Sequence, residues 1–380
     1  MPELSEAHRI VRDSMRRLGR ERLAPLAVEA DRTGSYSEAI HRLLVENGLF
    51  LINVPAEYGG TPMDLTATCL VIEEMGRVDG TIANTVAHHQ AGLCCFLVGA
   101  DEEQRARYLP LIGRGDYLVG FALTETGSGS DAFAMRTRAV LDGDRYAVNG
   151  SKCFISNSGL TDVYVLFTTV DPALRRRGVT AFLVEKDTPG LIVGKAEDKM
   201  GLRASPTRQL VFEDMRLPRT ALLGRPGEGW ELVFHSLTRT RILVAAMALG
   251  IAQAAMEVAV GYAGTREQFG RPIGEFQGVS FMLADMAVQV ECARAMIYQV
   301  ASQVDRGEEQ QAYHASIAKC FASDTAMKVT TDAVQVLGGY GYTTEYPVER
   351  MMRDAKATQI IEGTNQIQRV QISRELLKRF

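Results

Sequence analysis

The sequence predicts a multidomain α+β protein: a helical N-terminal domain, a central β-barrel-like domain and a C-terminal helical bundle. Two observations carry this. Hydrophobic periodicity is helical from Ser5 to about Leu118, breaks into short β-branched and aromatic runs up to about Leu222, and is helical again from about Trp230. A chain of 380 residues also exceeds what one hydrophobic core usually supports. The domains are therefore placed at 1–118, 119–224 and 225–380.

In the first domain helices are expected at 7–30, 38–47, 64–78, 81–98 and 102–113, punctuated by Pro55, Gly59, Gly60 and Pro62. In the second, strands are expected at 136–141, 145–148, 163–170, 180–185 and 209–212. Asp142-Gly143-Asp144 and Asn149-Gly150 read as turns between them. In the third, amphipathic helices at 232–263, 277–306 and 310–337 have lengths that suit an antiparallel bundle. No βαβ rhythm is present. Gly127-Ser128-Gly129 lacks the third glycine of a dinucleotide fingerprint, and Gly338-Gly339-Tyr340-Gly341 follows a helix instead of a strand, which argues against a Rossmann fold.

Composition narrows the function classes. At 46% hydrophobic and 23% charged, the chain reads as a soluble protein with a large core. A net charge of −4 offers no basic surface for nucleic acid. The six cysteines show no C-x-x-C spacing, which is usage for a reducing compartment. Arg9, Arg12, Arg16, Arg17 and Arg20 are interleaved with Glu3, Glu6, Asp13 and Glu21, unlike a transit helix, so a cytoplasmic location is expected. The apolar run 242–260 is broken by Gln253 and Glu257 and carries small residues at helical spacing, so a bundle helix is expected there and no membrane span.

The most informative stretch is Gln359-Ile360-Ile361-Glu362-Gly363-Thr364-Asn365-Gln366, where one carboxylate sits beside a glycine in a largely uncharged run. A carboxylate in low-dielectric surroundings has its charged form disfavoured, which moves its pKa towards the range of a general base. Gly363 clears space for a close backbone approach. The alternative reading is a helix N-terminal glutamate followed by an ordinary break. Other candidates are weaker alone. The small, hydroxyl-rich loop Thr124 to Asp131 exposes backbone N–H groups that can cradle a phosphate or a polar ring edge, or is a serine-rich connector. Phe154, Ile155 and Ser156 put a flat aromatic beside a hydroxyl, or belong to a plain strand. Arg266, Gln268, Phe269 and Arg271 suggest a diphosphate contact, or a solvated helix end. Arg241 lies in an apolar helix and needs a partner, for which Glu362 would serve. His88-His89 are neighbours that point in different directions and lack a ligand set, so no metal is expected.

Taken in this order, these elements resemble the acyl-CoA dehydrogenase family of flavoenzymes. The likeness spans nearly the whole chain. It is most specific in Ser316-Ile317-Ala318-Lys319, Asp332-Ala333-Val334-Gln335-Val336-Leu337-Gly338-Gly339, Tyr346-Pro347-Val348-Glu349-Arg350 and Met352-Arg353-Asp354-Ala355-Lys356. The resemblance implies that the C-terminal domain is a four-helix bundle and that FAD binds between subunits of a homotetramer. Phe121, Leu123, Thr124, Gly129, Ser130, Phe154, Ile155 and Ser156 would meet the flavin ring and pyrophosphate. Arg266, Gln268, Phe269, Gln277, Gln335, Val336, Leu337, Gly338 and Gly339 would come from a neighbouring subunit to the adenine half. Thr364, Asn365 and Gln366 would lie on the pyrophosphate side, and Ser130, Thr238, Arg239, Thr240, Arg241 and Gly363 would border the acyl thioester.

The implied chemistry is α,β-dehydrogenation to a trans-2-enoyl-CoA, as in β-oxidation. Glu362 takes the α-proton, a β-hydride passes to flavin N5, and electrons leave to an electron-transferring flavoprotein. Some relatives carry the base at the position of Thr240, which cannot serve, so Glu362 is the implied base and Arg241 would hold or tune it. Many relatives have proline at Thr126 and tryptophan at Phe154; both changes alter the flavin's surroundings without removing an essential group. Other readings are a dehydrogenase of a carrier-protein-bound thioester, an oxidase (though oxidases of this fold are usually longer) and a non-catalytic binding protein. His88, His89 and Gln90 hint at a polar or short end to the acyl pocket.

Overall fold

The computed structural model describes residues 4–309 and 311–378. Side-chain caps set the starts of the N-terminal helices. Ser5 accepts from the His8 amide at 3.2 Å and opens α1 (Glu6–Leu18). Ser37 opens α3 (Glu38–Glu46), Asp64 opens α4 (Leu65–Val78) and Asp79 opens α5 (Gly80–Gly99). Asp101 and Gln104 close a reciprocal capping box at the head of α6 (Glu102–Ile112). The single helix expected at 7–30 is interrupted. A π-helical turn, Gly19–Leu23, separates α1 from α2 (Ala24–Thr33), and it sits where a β-carbon on Gly19 would lie 2.6 Å from Val78.

Alternating β-branched and aromatic residues then build one eight-stranded sheet. Its strands are β1 (Val119–Ala122), β2 (Arg138–Asp142), β3 (Arg145–Ser156), β4 (Val163–Thr169), β5 (Val179–Glu185), β6 (Leu191–Ala196), β7 (Thr207–Pro218) and β8 (Leu222–Leu223). The order is β6-β7-β3-β2-β4-β5-β8, with β1 parallel to β4. Asn149-Gly150 is not the expected turn. β3 runs through it as a bulge against β7, with Gly150 at φ 143°. A second irregularity between Lys152 and Ile155 puts Phe154 at φ 57° and turns its ring outward, 65% exposed. Strand β6 was not expected. It is a half-exposed edge containing Gly194 and Lys195, without a clean alternation to betray it.

The C-terminal region holds α7 (Gly229–Thr265), a hairpin of β9 (Glu267–Gln268) and β10 (Arg271–Pro272), α8 (Gln277–Asp305), α9 (Gln311–Leu337), α10 (Val348–Thr358) and α11 (Asn365–Leu377). Gln310, where the third long helix was expected to begin, lies outside the described residues. Helix α7 is apolar and long enough to cross a bilayer, yet most of it is buried against α4, α5, α8 and α9. Its small residues permit this. A β-carbon on Gly250 would fall 2.1 Å from the Glu73 carbonyl, and one on Gly76 2.7 Å from that of Met247, so α4 and α7 touch backbone to backbone.

The tandem histidines join α5 to the sheet. The Val119 amide donates to His89 Nδ1 at 3.1 Å, which fixes the proton on Nε2 for donation to the Phe50 carbonyl at 3.0 Å. The Phe121 amide donates to His88 Nε2 at 3.4 Å. These histidines therefore serve the joint between domains, and among the described residues no His, Cys, Asp and Glu group could hold a metal. Burial lowers both imidazoles to about 4. An unfolded chain binds those protons near pH 6.5, so the stability they confer is present above 6.5 and is lost as pH falls towards 4. His89→Ala should cost about 2–4 kcal/mol in urea unfolding at pH 7, because two buried backbone groups lose their partner. An unchanged midpoint would contradict this role.

Candidate active site

Helix α10 ends at Thr358, and the chain turns sharply before α11. Glu362 sits on that turn at φ 54° and Gly363 at φ 93°. A non-glycine residue in this region is strained unless its surroundings fix it. Here they do so through the main chain. Arg241 Nε and Gln368 Nε2 each donate to the Glu362 carbonyl at 3.2 Å. Gln368 Nε2 and Lys319 Nζ each donate to the Gly363 carbonyl at 2.9 Å. A side chain at 363 would drive into Gln368, its β-carbon 2.8 Å from Nε2. Thr364 then caps α11, accepting from the Ile367 amide.

With its backbone gripped, the Glu362 carboxylate has one hydrogen-bond partner among the described residues, the Thr240 hydroxyl, which donates to Oε2 at 3.0 Å. Burial raises its pKa; the Thr240 bond and the charges of Arg241 and Lys319 act the other way without cancelling it. Arg241 does not pair with this carboxylate as the sequence suggested. Its guanidinium is spent on the Glu362 carbonyl and, at 2.9 Å, on Gln371. Lys319, fully buried and pulled down to about 8 by that burial, reaches Gly363 and Asn365. The Glu362 amide donates to no acceptor among the described residues. A cavity of about 180 Å³ opens beside Thr240, walled by Leu65, Leu93, Leu97 and Leu243. Gln90 lines it, while His88 and His89 do not.

The other expected residues are distributed as follows. Phe121, Leu123 and Ile155 are core residues, so only their backbones can face a ligand. Thr124 to Ser130 form a tight loop in which Glu125 and Ser128 exchange backbone bonds of 3.1 and 3.0 Å. The amides of Gly127, Gly129 and Ser130 donate to nothing among the described residues, and nothing lies within 4 Å of a β-carbon built on either glycine. The Cys153 amide bonds the Thr124 carbonyl at 2.9 Å, which brings Phe154 and Ser156 alongside this loop. Its stiffness comes from a pair the sequence reading missed. Lys152, wholly buried, donates to Glu125 at 2.7 Å and to the Leu123 carbonyl at 2.8 Å, while Glu125 accepts from the Arg136 and Thr137 amides. Only the odd sight of a charged pair in a strand and an adjoining tight loop could have flagged it.

Asn365 lies on the wall of the same cleft as Thr364 and Gln366. Its side chain is buried and bonded to Ser323, Asp324 and Lys319. The cleft, which Arg369 also borders, is open and about 490 Å³ in volume. Thr238 is buried, its hydroxyl bonded back to Phe234. Arg266, Gln268, Phe269 and Gln277 gather with Gln335, Gly338 and Gly339 at the far end of the bundle, where Arg266 lies over the Tyr340 ring and Phe269 is 94% exposed. Val336 and Leu337 there are core residues. Lys319 and Gln335 stand at opposite parts of α9, roughly 24 Å apart at helical rise, so this cluster is remote from Glu362.

Three sequence families cover the chain in register: the acyl-CoA dehydrogenase N-terminal domain at residues 5–116, the middle domain at 120–215 and the C-terminal domain at 227–377. The chain belongs to the acyl-CoA dehydrogenase family. It is 45% identical over 369 residues to an acyl-CoA dehydrogenase of Bacillus subtilis, covering 97% of each protein. Butyryl-CoA dehydrogenase from Megasphaera elsdenii superposes with a TM-score of 0.95 at 40% identity, covering 99% of both chains. A chain from the structure described as the electron transferring flavoprotein of Acidaminococcus fermentans also gives 0.95, at 44% identity and 99% coverage of each. Family membership makes this acyl-CoA dehydrogenase a flavoprotein oxidoreductase of fatty acid oxidation.

Proposed function

We propose that this acyl-CoA dehydrogenase removes the α-proton of an acyl-CoA thioester with Glu362, holds FAD between subunits of a homotetramer, and passes electrons to an electron-transferring flavoprotein in the cytoplasm. The observation that carries this is the base turn: a carboxylate of raised pKa, held by its backbone in a strained conformation beside a cavity. The residues fit a flavin. The loop Thr124 to Ser130 offers free amides and two glycines open to their surroundings, and Phe154 lies exposed next to it. A bound flavin supplies the acceptor for the hydride that leaves the β-carbon.

The protein's own residues do the rest. The free Glu362 amide is a donor for the thioester carbonyl, which acidifies the α-carbon as negative charge moves to oxygen. Thr240 orients the carboxylate beside a cavity whose walls include Leu65, Leu93, Leu97 and Leu243. Arg266, Gln268, Phe269 and Gln277 lie too far along the bundle to reach this chain's own base turn, which supports a second subunit supplying them. The similarity to a chain in a structure described as an electron transferring flavoprotein supports that partner. The purified protein should be yellow, and its flavin band should bleach anaerobically with an acyl-CoA. A colourless protein that takes up no added FAD would overturn the proposal.

A further inference from the structure

We propose that the acyl pocket of this enzyme is built for a short chain that ends in a carboxylate, bound by Arg239. The inference rests on the dehydrogenase reading of the same site. It begins from a charge without a counter-charge. Arg239 is half-buried on α7, one residue before Thr240, and its side chain lines the cavity beside the base. Among the described residues it makes no hydrogen bond and no ion pair. On the helices that line the cavity, Arg77 reaches Glu74 and Glu257, and Arg241 is held by the Glu362 carbonyl and Gln371.

Among the described residues no carboxylate pairs with Arg239, although Cys69, which feels its charge, also feels the carboxylates of Asp305, Glu73 and Asp64. The Arg239 field is felt by Cys69 and Cys94 on the neighbouring helices and by His235 one turn earlier. Cys94 and His235 are engaged with each other at 3.4 Å. At the opposite side, Asn53 donates to Gln90 at 2.9 Å and Gln90 to the Ile52 carbonyl at 2.9 Å, which engages one N–H of each neutral amide. The guanidinium is the permanently charged donor among the residues that line the cavity, and a carboxylate matches its planar fork with two parallel bonds.

Size sets the chain length. An apolar cavity of about 150 Å³ holds benzene, so about 180 Å³ takes a group on the order of six carbons. Placing the α-carbon at Glu362 and passing the chain beside Thr240 leads a terminal carboxylate to the neighbouring residue, Arg239. The guanidinium could instead draw an anion from the CoA phosphates, and the test separates the two sources.

The flavin-loaded enzyme would be assayed with adipoyl-CoA and hexanoyl-CoA, which have equal carbon counts and differ at the terminal group. We expect kcat/KM to favour adipoyl-CoA by at least about 30-fold, the usual effect of losing one partner of a desolvated charge pair. Arg239→Met should abolish that preference by lowering kcat/KM for adipoyl-CoA far more than for hexanoyl-CoA, and Arg239→Lys should retain part of it. A wild-type preference for hexanoyl-CoA would overturn the inference and leave the dehydrogenase intact. Equal loss on both esters in Arg239→Met would assign the guanidinium to the CoA phosphates and overturn it too. Turnover of neither ester nor any other acyl-CoA would remove the functional reading together with this one.

Discussion

Glu362→Gln should lower turnover roughly 10²- to 10⁴-fold, the range over which a positioned general base contributes, while the protein stays folded and keeps its flavin. The substitution is nearly isosteric, and the four bonds that hold the turn grip the carbonyls of Glu362 and Gly363, leaving the carboxylate out of the support. Two further results follow from burial. Catalysis needs the ionised carboxylate, so the wild-type rate should rise with pH through a limb above the ordinary glutamate range. The sign for stability is the reverse. A carboxyl raised in the folded state favours folding below its unfolded pKa, and that contribution is lost as pH rises through the folded value. At neutral pH the buried charge is a burden, and Glu362→Gln should be as stable as the wild type or slightly more so. Wild-type turnover in the variant would remove Glu362 from the mechanism.

Lys152→Met should give the largest loss of stability, about 3–5 kcal/mol, because it leaves Glu125 buried and charged without its partner. Burial pulls Lys152 down to about 8 against the opposing attraction of Glu125. For Glu125 burial acts upward, yet Lys152 and the amide bonds of Arg136 and Thr137 outweigh it and leave the carboxyl below its usual range. Urea unfolding would measure the loss. Adding Glu125→Gln should return part of it, since the uncompensated charge is gone while the amides of Arg136 and Thr137 still need an acceptor. Flavin retention should fall in both variants, because the pair stiffens the loop from Thr124 to Ser130. A midpoint shift under about 1 kcal/mol would show that the pair is not a buried one in solution.

Much of this was legible in the sequence, for identifiable reasons. Helix periods and capping residues such as Asp64, Asp79 and Asp101 act locally, so the N-terminal helices fell within a few residues of expectation. Asn149-Gly150 misled because a bulge and a turn call for the same residues, and only the partner strand β7 decides between them. At the site, Glu362 stood out because a lone carboxylate beside glycine in an uncharged run is chemically odd. Its supports did not. Lys319 and Gln368 look like ordinary helix residues, and their bonds to the turn form only when α9 and α11 pack around it. Arg241 meets Glu362 as expected, at its carbonyl instead of its carboxylate, and Asn365 is bonded to Ser323 and Asp324, since a sequence does not reveal which atoms of a polar group are engaged.

The base turn is fastened by atoms that every amino acid possesses. Carbonyl oxygens at 362 and 363 take the side-chain contacts that hold the turn, so the mounting is indifferent to the identity of residue 362 provided it tolerates a left-handed backbone. Selection can therefore try other acids, amides or small residues at this position without dismantling the scaffold. A lineage that shifted its base to another helix would keep the turn intact as an unoccupied fitting. The cost of experiment at this position falls on reactivity alone, which is the condition under which one fold can diversify its chemistry quickly.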